Sequence, residues 1–104
     1  MTEADLMRLI MIAASQAGHR LMRNNVGGFQ AMDGRWIHYG LGGKGGSDLI
    51  GMTREGRFAA VEVKLTGKAT VEQLEFIAMV QRQGWLAGVA YSVEEALTIL
   101  EGHA

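Results

Sequence analysis

Three ionisable side chains near the middle of the chain have the spacing needed to share one face of a β-hairpin. Asp48 begins one strand-like segment, and Glu62 and Lys64 lie two residues apart in the next. Because side chains alternate along a strand, Glu62 and Lys64 point to the same face. If a three-residue turn joins the two strands, residue i pairs with residue 110 − i. That register places Asp48 directly opposite Glu62.

Two carboxylates at this separation, about 5 Å between Cβ atoms, repel each other unless a cation lies between them. Oxygen ligands with positions left for water suit Mg²⁺ or Mn²⁺ better than Zn²⁺. The ammonium of Lys64 could then stabilise negative charge that grows on a phosphate oxygen. These groups are the parts needed to hydrolyse a phosphodiester. The residues alone leave a second interpretation open, in which Glu62 and Lys64 lie on a solvated strand face and the opposing acid is coincidental.

The elements that must position these residues are predicted from apolar periodicity and from helix-capping signals. Thr2, Thr70 and Ser92 each precede such a helical pattern as N-caps. The predicted elements are helices over 3–18, 71–83 and 92–100, and strands at 36–39, 48–52, 58–65 and 85–91. The order is α-β-β-β-α-β-α, and residues 25–31 could add a short strand. We expect a single α/β domain over 1–104, with a small mixed β-sheet flanked by helices.

Several segments resemble one family of nucleases. Ser47-Asp48, then Glu62-Val63-Lys64, then a glutamine after a helix cap, is similar to the PD-(D/E)XK nuclease superfamily. Within it, the chain resembles the virus-type replication-repair nuclease (VRR-NUC) domain over nearly its whole length. The similar segments are 45–51, 56–58, 61–64, 72–77, 84 and 88–90. The resemblance implies a restriction-endonuclease-like fold and a free-standing member of the kind that bacteriophages encode.

The resemblance also implies roles for the residues of the hairpin. Asp48 and Glu62 would be metal ligands, with the main-chain carbonyl of Val63 as a third, and Lys64 would be the catalytic lysine. Ser47 stands where the superfamily name has a proline, a position that tolerates replacement in this family. The implied cofactor is Mg²⁺ or Mn²⁺, with no organic cofactor.

Two further site residues carry a second interpretation each. The resemblance makes Gln73 a catalytic-site residue that supports the metal ligands from the second helix, but Thr70 and Gln73 also form a capping box. The two roles could coexist only if different atoms of the glutamine serve them. Glu3 matches a helix acid that contributes to metal or water binding in related resolvases, yet a glutamate in a first turn is also what a helix dipole favours.

The distribution of charge, more than its total, points to a nucleic-acid face. The formal net charge is −1, but residues 20–68 carry eight basic and four acidic side chains, a local balance of +4. The glycine-rich stretch 40–46 is predicted to be an irregular, pliable loop; its GxGxxG pattern leads into a strand, which argues against a dinucleotide site. Trp36 and Trp85 could stack on bases, but we expect core or interface positions. The candidate DNA-binding residues are Lys44, Arg20, Arg23 and Lys68.

Composition excludes several other classes of protein. There is no cysteine, which excludes disulfide frameworks, thiolate zinc sites and cysteine nucleophiles. Hydrophobic residues make up 48% and charged residues 20%, as in ordinary globular domains. No apolar run approaches the roughly 20 residues of a bilayer span, and no export signal is evident. We therefore expect a cytoplasmic protein without a membrane partner, acting in the host cytoplasm if it is phage-encoded.

Taken with the resemblance, the sequence predicts a metal-dependent, structure-selective DNA endonuclease, with branched DNA as its partner and the Holliday junction as its substrate. Symmetric cutting of a junction needs two active sites, so we expect a homodimer, built on the surplus apolar width of the first helix. Two alternatives stay open: a nuclease of the same fold that acts on flap or duplex DNA, and a non-catalytic module that binds DNA or a replication protein.

Overall fold

The computed structural model describes residues 1–102, which form a four-stranded sheet between helices and a separate two-stranded ribbon. Among these residues, none of the helices is long and apolar enough to cross a membrane. The elements in chain order are α1 (Glu3–Gln16), β1 (Arg20–Arg23), β2 (Gly27–Gln30), β3 (Trp36–Tyr39), a 3₁₀ turn (Gly43–Gly45), β4 (Leu49–Met52), β5 (Phe58–Val63), α2 (Val71–Arg82), β6 (Leu86–Ala90) and α3 (Val93–Leu100).

The three helices begin where the capping signals predict. The hydroxyls of Thr2, Thr70 and Ser92 each accept a hydrogen bond from the backbone N–H three residues on. The first two caps are reciprocal capping boxes. At α3 the expected return bond differs, because Glu95 Oε1 accepts from the N–H of Tyr91 at 2.9 Å instead of from Ser92. Side-chain acceptors at these positions satisfy N–H groups that a helix leaves unpaired.

The main sheet has the strand order β1-β4-β5-β6, antiparallel except for the parallel pair β5–β6. In the hairpin, Leu49 pairs with Val61 and Met52 with Phe58, which confirms the predicted register. A three-residue turn closes it, with the N–H of Thr53 bonded to the carbonyl of Arg57 at 2.8 Å. The helix α2 links β5 to β6 as the crossover that a parallel pair requires.

The sheet separates two apolar layers. The larger core lies under α1 and α3, and alternate residues of β5 (Ala59, Val61 and Val63) point into it. The smaller core lies under α2 and contains Ala60. Glu62 therefore continues the face of β5 that α2 covers, and alternation along the strand brings this carboxylate to the first turns of that helix.

The structure adds strands that the predicted order lacks: five precede α2 instead of three. The strand β1 was not predicted because it is an edge strand in which only Leu21 is buried, so its sequence shows no alternation of apolar and polar residues. The short strand within 25–31 is present as β2, and it pairs with β3 outside the main sheet. The small mixed α/β sheet flanked by helices is confirmed.

Candidate active site

Asp48 and Glu62 lie opposite each other at one end of the β4–β5 hairpin. The last observed pair at this end is Leu49 with Val61, so the register carried one residue further pairs Asp48 with Glu62. The backbone N–H of Val63 donates a hydrogen bond to Asp48 Oδ2 at 2.9 Å. That bond holds the aspartate against the strand that carries the glutamate.

Glu62 is a buried carboxylate with two unlike oxygens, and its side chain is 2% exposed. Its Oε2 accepts a hydrogen bond from Gln73 Nε2 at 3.0 Å and lies 3.8 Å from Lys64 Nζ. Its Oε1 is buried, and no N–H or O–H group of the described residues donates a hydrogen bond to it. Burial raises the pKa of Glu62 to about 8. A hydrogen bond that the protonated acid makes to Asp48 and the charges of Asp48 and Glu3 act in the same direction, whereas the charge of Lys64 lowers the pKa.

Gln73 serves the helix cap and the site with different atoms. Its Oε1 accepts from the backbone N–H of Thr70 at 2.8 Å, which completes the capping box at the start of α2. Its Nε2 donates to Glu62 Oε2. The two interpretations of this residue are therefore compatible, and the cap fixes the orientation of the amide that contacts the glutamate.

The donor set fits a divalent cation. Two carboxylates face each other, and one of them presents a buried oxygen that no protein donor satisfies; a cation would neutralise the pair and satisfy that oxygen. Among residues 1–102, no three His, Cys, Asp or Glu side chains group closely enough to hold a metal. Glu3 acts on Glu62 through its charge, and its direct coordination stays a prediction, as does coordination by the carbonyl of Val63.

The glycine-rich stretch 40–46 folds back beside Asp48 instead of forming an irregular loop. Asn24 Nδ2 donates to the carbonyls of Leu41 and Ser47 at 2.7 and 3.1 Å, and Asn24 Oδ1 accepts from the N–H of Leu41 at 2.9 Å. A Cβ on Gly46 would lie 2.0 Å from the carbonyl oxygen of Leu41, so a side chain cannot fit there. The stretch therefore contains a 3₁₀ turn and is held by the three hydrogen bonds of Asn24, which we call the asparagine clamp, whereas its pliability stays a prediction.

The role of Asn24 could not be predicted from the sequence. The carbonyls that Asn24 binds belong to residues 17 and 23 positions away. No local pattern in the sequence reports such partners.

The predicted DNA-binding residues are distributed unevenly around this centre. Arg23 lines the same cleft as Asp48. Arg20 lies three residues earlier on β1, roughly 10 Å further from the site at 3.3 Å per residue. The Nζ of Lys44 is 3.9 Å from Glu72 Oε1 at the start of α2, and Lys68 is exposed between β5 and α2. The structure thus brings Arg23 alone of these four residues into the cleft.

The cleft next to Asp48 has a volume of about 590 Å³. Tyr39, which the sequence reasoning did not single out, forms part of its wall. Trp36 and Trp85 are both about half exposed, so neither takes the core position that was one of the two expected, and the interface position stays a prediction. The principal side chains around the cleft are Met7, Arg23, Asn24, Asn25, Tyr39 and Asp48.

Comparison with known proteins agrees with this geometry. The family model for the VRR-NUC domain matches residues 9–94, a span that includes both carboxylates, the lysine and the glutamine. No curated protein and no solved structure matches the chain. The match implies a nuclease-type function and DNA as the substrate class. With most of its length matched and the hairpin arranged as described, the chain belongs to the VRR-NUC family, whose fold is of the PD-(D/E)XK nuclease type.

Proposed function

We propose that this nuclease is a metal-dependent DNA endonuclease that cuts four-way junctions as a homodimer. The observation that carries the enzymatic part is the buried Glu62: one oxygen is held by Gln73 and Lys64, and the other lacks a protein donor beside Asp48. A buried carboxylate left half satisfied costs stability. A cation bound to the unsatisfied oxygen would remove this cost, so a metal site explains why the buried carboxylate is present.

The proposed chemistry divides the work among the residues present. Asp48 and Glu62 would hold a Mg²⁺ or Mn²⁺ ion, which when bound supplies polarisation of the scissile phosphate and activation of a water nucleophile. The ammonium of Lys64, mostly buried beside Glu62, donates hydrogen bonds to the phosphate oxygen on which charge grows. Gln73 keeps Glu62 in one orientation. Arg23 in the cleft holds a neighbouring phosphate.

The choice of a four-way junction rests on the similarity of free-standing VRR-NUC members to Holliday-junction resolvases. Such a substrate needs two cuts related by symmetry, and the hairpin supplies one site per chain. A C₂ dimer would provide the second. The exposed apolar residues Leu9 and Ile12 at the centre of α1 support a dimer through this helix.

The test is cleavage of an end-labelled four-way junction beside a linear duplex and a flap of the same sequence, with Mg²⁺ or Mn²⁺ and with EDTA. We expect paired symmetric nicks in the junction that require the metal. Lys64→Ala should lower the rate by about 10²–10³-fold, the usual loss of one charge-stabilising donor. The matched control is Lys68→Ala, which removes the same charge from the exposed β5–α2 segment and should weaken binding without lowering the rate at saturating DNA.

Each other outcome assigns one of the alternatives. Cleavage of flap or duplex in place of the junction would retain the site and replace the substrate. A folded protein that binds DNA and cuts none of the three substrates with either metal would contradict the enzyme and support the binding module. Equal losses for the two lysine variants would contradict the role given to Lys64.

A further inference from the structure

The ribbon β2–β3 projects aromatic side chains that the main core does not cover. A two-stranded ribbon is only marginally stable by itself, so exposed apolar surface on it is costly unless a ligand uses it. Tyr39 is 51% exposed, Trp36 is 59% exposed and Phe29 is about half exposed. Neither strand contains an acidic residue, and the acid in the turn that joins them, Asp33, is paired with Arg35 at 2.7 Å.

The strand register sorts these aromatic residues onto two faces. Gly27 pairs with Tyr39 and Phe29 with Ile37, so these four residues share one face. Trp36 and His38 lie on the other face, with their rings edge to face at 6.2 Å. The ribbon therefore offers a matched pair of aromatic surfaces, and only one of them continues into the cleft.

The Tyr39 ring lies over Gly27 on the neighbouring strand and borders the cleft next to Asp48. A Cβ on Gly27 would lie 2.5 Å from Tyr39 Oη and 2.7 Å from Cζ, so the ring rests on the bare backbone of β2. The same ring lines the cleft together with Arg23 and Asp48. The Tyr39 ring therefore forms one wall of the cleft, while Arg23, a cation, and Asp48, a candidate metal ligand, lie on the others.

This combination matches the parts of a nucleotide, with a cation for the phosphate and a ring for the base. A base inside a duplex already has both its faces stacked, so a ring can bind a base face only where the base is unpaired or unstacked. We infer that Tyr39, with Phe29 beyond it on the same face, stacks on unpaired or unstacked bases next to the scissile phosphate, so that the substrate must present such bases at the cleavage position, as a branch point does where stacking between arms is interrupted. The inference rests on the proposed function, which supplies DNA cleavage at Asp48.

The test measures binding rather than cleavage, with Lys64→Ala as the background so that the DNA stays intact. The probes are a forked duplex with unpaired arms and a fully paired duplex of the same length. We expect Tyr39→Ala to weaken binding of the forked duplex roughly tenfold, the effect of losing one base–ring stack, and to change binding of the paired duplex little. Tyr39→Phe should retain the affinity and Tyr39→Leu should lose it. Trp36→Ala, on the opposite ribbon face, is the matched control and should change neither.

An abasic scan of the unpaired arms identifies the contact directly. Removing the stacked base should weaken binding of the protein with an intact Tyr39 about tenfold. With that base removed, Tyr39→Ala should weaken binding no further. The scan with intact Tyr39 also decides the matter if the alanine variant does not fold. The inference would be overturned if Tyr39→Ala weakened binding of forked and paired DNA equally. It would also be overturned if at no position did the effect of removing the base depend on the Tyr39 ring. A fall in molecular mass on Tyr39→Ala or Phe29→Ala would overturn it too and assign this face to a subunit contact.

These outcomes are separable from those of the cleavage test. Binding by the inactive variant does not depend on turnover. If no substrate is cut but the effects of Tyr39→Ala and base removal are still coupled, base stacking on Tyr39 is supported and the nuclease activity is contradicted. If junctions are cut but removal of no base couples to Tyr39→Ala, the nuclease activity is supported and base stacking on Tyr39 is contradicted.

Discussion

At the scale of single residues, Glu62 is the side chain that folding alone does not explain. It is among the largest fully buried side chains, in a strand whose neighbouring buried residues are alanine and valine. Transferring a carboxylate to such a place favours its neutral form, and a second carboxylate opposite strengthens that preference. The free protein therefore accommodates the pair by holding a proton, and a bound cation would replace that proton.

This arrangement predicts that the metal-free protein loses stability as the pH rises. The pKa of Glu62 is raised from 4.5 to about 8 on folding, so the folded state binds the proton more tightly than the unfolded state does. The stabilisation is complete below the unfolded pKa and is lost as the pH rises through the folded pKa. Between about pH 5 and about pH 8, the free energy of unfolding in EDTA should fall on the order of 3 kcal/mol, measured by urea denaturation.

Glu62→Gln is the matched control for this pH dependence, because the amide imitates the protonated acid and does not titrate. The variant should lack this fall and should be more stable than the unmodified protein at about pH 8 in EDTA. Mg²⁺ or Mn²⁺ should recover the lost stability of the unmodified protein and leave the variant unchanged. Parallel pH curves for the two proteins would contradict the buried, raised pKa.

The carboxylates and the lysine could be predicted from the sequence, whereas the residues that frame them could not. Glu62 and Lys64 follow from alternation within one strand, and Asp48 from the register that a short turn imposes. Asn24 and Tyr39 reach the site only because β1 pairs with β4 and because β3 contacts the 3₁₀ turn beside Asp48. Such long-range packing leaves no periodic pattern in the sequence, so the roles of Asn24 and Tyr39 cannot be predicted from a single sequence.

At the scale of elements, the asparagine clamp joins the end of β1 to the glycine-rich stretch. Asn24→Ala removes three hydrogen bonds and should lower the free energy of unfolding by about 1–2 kcal/mol. The backbone N–H of Asn24 also donates to the carbonyl of Asp48 at 2.8 Å. Loss of the side-chain hydrogen bonds should therefore let the end of β1 move and displace Asp48 with it. We expect cleavage to fall about tenfold or more, since small misplacements of catalytic groups are costly.

Thermal unfolding and hydrogen exchange of the amides in 40–47 check this expectation. Exchange there should speed up in Asn24→Ala while the exchange of β5 stays slow. Asn25→Ala is the matched control, since its side chain takes no part in the three hydrogen bonds of the clamp. Unchanged exchange in the stretch would show that the glycine geometry holds it without the clamp.

The elements that could be predicted are those whose form is set by residues close to them in the sequence. The three helices begin at caps within one turn of sequence, and the hairpin register follows from a three-residue turn. The edge strand β1 has a single buried residue, and the 3₁₀ turn at Gly43–Gly45 lies between Leu41 and Ser47, the two residues that Asn24 binds. These two elements take their form from tertiary partners, which is why periodicity did not predict them.

At the scale of the whole molecule, α1 both closes the core and leaves an apolar strip to solvent. Its buried residues Leu6, Ile10 and Ala14 face the sheet, while Leu9 and Ile12 are 43% and 55% exposed. The helix spans Glu3–Gln16, so these two residues lie at its centre. In a pair of antiparallel helices related by a two-fold axis, the axis passes near the helix centre and places each central residue next to its own copy.

Ile12→Glu should therefore convert the proposed dimer to a monomer, because the substitution places two like charges beside the axis in a desolvated contact. Sedimentation velocity should give about half the mass of the unmodified protein. Junction cleavage should change from paired symmetric cuts to single nicks, while Asp48 and Glu62 remain able to act. The matched control is Met79→Glu, which makes the same kind of change at an exposed apolar residue of α2, across the sheet, and should leave the mass unaltered. A monomeric unmodified protein that still makes paired cuts, or an Ile12→Glu variant that remains dimeric, would remove α1 from the proposed assembly.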